Sequence, residues 1–262
     1  MAYADQLSIS APRSLGEALS LAHVHRERVR WLIGESTLLG LSYKLVPRES
    51  FILDARNVPE LWAGPRADGP RFRFGAFASE ARLRAHPITQ RLISGEIPPM
   101  LALLVAGASV EVASLGRVRT RHLDALALAA YEAPVAVIIE APAADEVCIE
   151  RRRAIRDGDA SHELHTVAVF GVAPDGAIRR ARIALAVDDL PPVRGRAAER
   201  HLEGHRLASE RCADAARLCA EAIVPRDARS AAAARSALPL ALSLLRQARI
   251  RCDAARLYKE GA

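Results

Sequence analysis

The sequence predicts an α+β fold, and three observations carry that prediction. Near the N-terminus a helix-spaced segment sits between short β-type runs. Towards the C-terminus two alternating apolar runs meet at an Asp175-Gly176 tip, the strongest short-range hairpin signal. The last 70 or so residues then carry apolar positions at three- and four-residue spacing, which reads as helices laid over that sheet.

Taken in order, residues 7–10 form a short strand. Ser14 is placed to cap a helix over 15–25, with Glu17 three residues on and Leu15, Ala18, Leu19 and Ala22 along one stripe. Val29, Trp31 and Ile33 alternate as a strand ending at Gly34, residues 38–44 continue as loop or short helix, and residues 51–54 form another strand. Phe72, Phe74 and Ala76 share a strand face. Ser79 caps a helix through Arg84, and residues 87–94 add a second helical piece. The apolar run 97–110 is too short to span a bilayer and opens on two prolines, so it predicts a buried helix. Residues 110–113 and 118–120 predict a hairpin turned at Gly116, followed by an apolar strand at 135–139 and a linker at 141–145. Strands at 148–152, 165–172 and 178–187 and helices at 195–202, 208–223 and 230–258 complete the chain.

Composition narrows the function classes. Of 262 residues, 50% are apolar and 26% charged, which excludes a disordered chain. Aromatics make up only 4%, so the core is expected to be aliphatic. The net charge of +6 is spread among acidic residues, and few aromatics are present to stack on bases. No nucleic-acid partner is therefore expected. No membrane span or signal peptide is expected either, and four unpatterned cysteines suit a reduced, cytoplasmic setting. Cys212 and Cys219 are expected as small core residues. The pairs His201/His205, His162/His165 and His23/His25 are expected to be solvated rather than metal ligands. No nucleophile has an evident base. The turn Gly34-Glu35-Ser36-Thr37-Leu38 after a strand could aim successive backbone N–H groups at a phosphate, although one glycine in such a turn is also ordinary.

Several stretches, in order, resemble the flavoprotein (medium) subunit of the molybdenum hydroxylases, the group that includes carbon monoxide dehydrogenase and xanthine dehydrogenase. The most specific is LPPVRGRAAE at 190–199 with LEG at 202–204, similar to that family's PxR…AAExxLxG segment, followed by an Ala-rich helix and IVPRDAR at 223–229. SLGEAL at 14–19 resembles its first helix, and LIGESTLL at 32–39 its LAGGTDLL loop. LD at 53–54 with VPEL at 58–61 resembles LVDIxxIPEL. GA at 75–76 with SEARL at 79–83 resembles IGAxxTxxEL, and GEIPP at 95–99 resembles GDxPP.

The resemblance implies a two-subdomain FAD-binding domain of the PCMH type at 1–144 (subdomains about 1–58 and 59–144). A CO dehydrogenase flavoprotein C-terminal-like domain would follow at 145–262. It further implies FAD held in part by Ile33, Gly34, Glu35, Ser36, Thr37, Leu38 and Glu96, with no catalytic side chain. The implied partners are a molybdenum-cofactor large subunit and a 2Fe-2S small subunit, so the chain would be an oxidoreductase subunit passing electrons from iron–sulfur clusters to an acceptor.

Two departures keep an alternative open. Glu35 stands where the family has a second glycine, and a carboxylate ~5 Å from one phosphate charge would be repelled by about 3 kcal/mol at an effective dielectric of ~20. The family's GTIGGN loop has no counterpart, since ITQRLISG at 88–95 joins the flanking segments directly. The alternative is a flavin-free scaffold or assembly subunit that keeps the fold.

Overall fold

Three short strands of the first unit build a parallel sheet beside a capped helix. The computed structural model describes residues 8–32, 51–85, 97–141, 143, 146–157, 160–187, 190–225, 231 and 234–260. The predicted strand end at 33–34 and the helical pieces at 38–44 and 87–94 lie outside the described residues. The chain packs as two compact units, Met1–Ser94 with Ala108–Ala141, and Gly95–Gly107 with Pro142–Ala262.

In the first unit, β1 (Ser8–Ser10), β2 (Val29–Leu32) and β3 (Phe51–Asp54) form a parallel sheet with β3 in the centre. Alternation puts Val29, Trp31, Phe51 and Leu53 on a buried face. Helix α1 (Leu15–His25) contributes Ala18, Leu19 and Ala22 to the core. Its start is fixed as the sequence predicts. Ser14 Oγ accepts from the Glu17 N–H at 3.2 Å, while the Glu17 carboxylate reaches back to the Arg13 N–H at 2.9 Å. His25, expected in solvent, is instead half-buried, its ring stacked on Phe51 at 3.6 Å between centroids.

A five-stranded antiparallel sheet completes this unit in the order β4 (Arg66–Asp68), β5 (Arg71–Gly75), β8 (Ala133–Glu140), β6 (Ser109–Ser114), β7 (Arg117–His122). Phe74, Val110, Val112, Val137 and Ile139 line its buried face. The β6–β7 turn uses Gly116 at φ +72°, where a side chain would be strained. β4 is not anticipated in the sequence, although Asp68-Gly69 forms its turn, with Gly69 at φ +59°. Helix α2 (Glu80–Arg84) starts at Ser79, whose Oγ accepts from the Arg82 N–H.

The second unit is a four-stranded antiparallel sheet in the order β12 (Val193–Arg194), β11 (Ile178–Val187), β10 (Ala160–Val172), β9 (Glu146–Asp157). Helices α4 (Arg196–Leu202), α5 (Ser209–Glu221) and α6 (Ala237–Glu260) share one core with Leu164, Ala168, Phe170, Ile178 and Ile183. Helix α3 (Pro99–Val105) packs on β10 and β11. Arg182 alternates with core residues Ala181 and Ile183. Its guanidinium donates to the Val105 and Ala106 carbonyls, filling the acceptors left at the end of α3. The apolar run that begins at Ile97 thus ends its helix early, and Ser109-Val110 already belong to β6.

The core is mostly aliphatic, as composition requires, yet Phe74, Phe77 and Phe170 are among its largest fully buried side chains. Cys212, Cys219 and Cys252 are buried, while Cys148 is exposed. Burial pushes the Cys219 and Cys252 thiols up to about 12. A thiol-reagent titration of the native chain at pH 8 should therefore label Cys148 alone, with the other three cysteines reacting only after denaturant.

Candidate functional site

The described part of the candidate site is the carboxyl end of the parallel sheet, where open α/β sheets place ligands. β2 reaches its last residue, Leu32, opposite Asp54 of β3. Of the residues to which the resemblance assigns the cofactor, Ile33, Gly34, Glu35, Ser36, Thr37, Leu38 and Glu96 all lie outside the described residues. What the structure does define is the frame from which that segment departs.

That frame is pinned in two places. Trp31, one residue before the end of β2 and 4% exposed, donates its indole N–H to the Ala130 carbonyl at 3.0 Å. The 126–132 loop carrying Ala130 is itself held by Glu132, which is 3% exposed. Its carboxylate accepts from Arg119, from both terminal nitrogens of Arg121 at 3.1 Å, and from the Ala129 N–H at 3.0 Å. Burial alone would raise the Glu132 pKa. The Ala129 N–H and the charges of Arg121 and Arg119 outweigh it and hold the carboxyl below its ordinary value. At β3, Asp54 accepts from the Arg56 side chain at 2.8 and 2.6 Å and from the Arg56 N–H, and these bonds lower its pKa against the opposing effect of burial.

The turn after β5 carries the GA pair of the resemblance. Gly75 is required there by packing, since a Cβ would lie 2.4 Å from the Leu61 carbonyl oxygen. Its N–H donates to Ala63 O at 2.7 Å. Those of Ala76, Phe77 and Ala78 donate to Val135 O, Leu61 O and Gly75 O at 2.9–3.0 Å. All four donors are consumed by the fold. They therefore do not fit the diphosphate of a dinucleotide.

The C-terminal motif proves to be a fastening for a strand edge. β12 pairs with β11 over two residues only. Beyond it, Ile183 donates its N–H to Glu199 Oε1 at 2.8 Å and accepts the Gly195 N–H at 2.8 Å. Arg194 bonds the same carboxylate oxygen at 2.7 Å, with both side chains nearly buried. One turn on, Glu203 accepts the Ala181 N–H at 3.0 Å, and Gly204, at φ +78°, donates to Ile178 O. A Cβ on Gly195 would lie 3.1 Å from Cys219 Sγ. The residues that stand out in the sequence thus carry the fold rather than a reaction.

The remaining candidates do not converge. His201 is half-buried, 4.0 Å from Asp214, and His205 is exposed. His165, expected in solvent, is mostly covered. It lies 3.4 Å from Glu163, which Arg152 also bonds. Beside it, a cleft lined by Ile97, Glu150 and Val167 encloses about 30 Å³, room for a water and far below a cofactor pocket. The side chain of His162 is not among those described. Among the described residues no three His, Cys, Asp or Glu are grouped to hold a metal, and no helix is long and apolar enough to cross a membrane.

No protein-family model and no curated protein matches the chain. Solved structures do. A chain of the carbon monoxide dehydrogenase from Hydrogenophaga pseudoflava that lacks the Mo-pyranopterin moiety of the molybdenum cofactor superposes with a TM-score of 0.73 at 21% identity, covering 94% of this chain and 98% of that one. Quinoline 2-oxidoreductase from Pseudomonas putida 86 gives 0.66 at 22% identity, covering 96% and 98%. Reconstituted CO dehydrogenase from Oligotropha carboxidovorans gives 0.67 at 21%, covering 95% and 98%. The matched chains are the medium subunits of molybdenum hydroxylases, so this chain shares their α+β fold over nearly its full length, as the resemblance implies.

Two outcomes follow from the two carboxylates. Replacing Glu199 with Ala strands the Arg194 charge and the Ile183 N–H, and urea denaturation should show a loss of about 3 kcal/mol. Glu132 has a depressed native pKa, so its contribution is fully present above the ordinary carboxylate value of about 4.3. It is lost as pH falls through the native value. The acid limb of a stability–pH curve should therefore be shallower in Glu132→Gln than in the wild type.

Proposed function

We propose that this chain is the FAD-carrying electron-transfer subunit of a molybdenum-hydroxylase-type complex in the cytoplasm, taking electrons from 2Fe-2S clusters on a small subunit that are fed by a molybdenum-cofactor large subunit. The observation that carries the reading is the near-full-length fold match to medium subunits of such enzymes, at a TM-score of up to 0.73 among those given above. Bound FAD would supply the redox chemistry, accepting electrons and passing them to an acceptor. The chain's own part is to bind and orient. Ile33, Gly34, Glu35, Ser36, Thr37 and Leu38, which follow β2 in the sequence, would hold FAD in part, with Glu96 as a further contact. Asp54, neutralised by Arg56, adds little net charge at the neighbouring strand end.

A specific observation favours a second reading. The Gly75–Ala78 donors are all engaged within the fold, and the sequence lacks the family's second glycine-rich loop. A chain in that condition would serve as a flavin-free scaffold for the two partner subunits.

The purified chain, incubated with FAD and then desalted, should retain one flavin per polypeptide by absorbance. A colourless chain that ignores added FAD overturns the first reading. Co-purification of such a chain with a molybdenum-containing subunit would establish the second.

A further inference from the structure

We draw no further inference here: the strongest candidate, the tip of the β6–β7 hairpin where Leu115 and Val118 are exposed on either side of Gly116 and Arg117, is an apolar surface patch, and nothing in the structure shows what covers it.

Discussion

Backbone groups at the rims of the sheets must find partners, and in both units carboxylates on neighbouring elements provide or organise them. An unpaired buried N–H costs about 1–3 kcal/mol, so a strand edge without a partner strand is a liability. In the second unit Glu199 takes the N–H of Ile183 and Glu203 that of Ala181, so that α4 and the turn after it finish what the two-residue β12 leaves undone. In the first unit Glu132 gathers two arginines and a backbone N–H and fixes the loop that meets β2. Helix placement, strand ends and the frame of the candidate site follow from these contacts.

The same constraint explains why the recognisable sequence pattern is structural. The segment from Arg194 to Gly204 contains a charge pair, two acidic acceptors, and glycines at a close approach and a left-handed turn. Each residue type answers a steric or hydrogen-bonding demand. A pattern of this kind identifies a fold even where the chemistry associated with that fold has drifted. Gly75 makes the same point: its N–H is spent on Ala63, and its missing Cβ leaves room for the Leu61 carbonyl.

Electrostatically, the described frame pairs each of its carboxylates with arginine. Asp54 is matched by Arg56, and Glu132 is outnumbered by two arginines facing the core-side loop.

Much of this chain was legible from local rules. The period of apolar residues, Ser14 and Ser79 as caps, and the glycine turns at 116 and 176 identify α1, α2, β3, β6 to β8, β10 and β11 with boundaries that largely match. Those signals act within a few residues, so one chain segment suffices to read them. Long-range pairing was not legible. Nothing local reveals that Trp31 meets Ala130, that Glu132 is buried between Arg119 and Arg121, that His25 stacks on Phe51, or that α3 packs with the C-terminal sheet rather than with its sequence neighbours. The sequence by itself determined which segments are helix or strand and which glycines the turns demand, because propensity and sterics are short-range. Tertiary structure alone decided which acceptor each edge donor found and which apolar face each helix covered, because those choices join residues that only folding brings together.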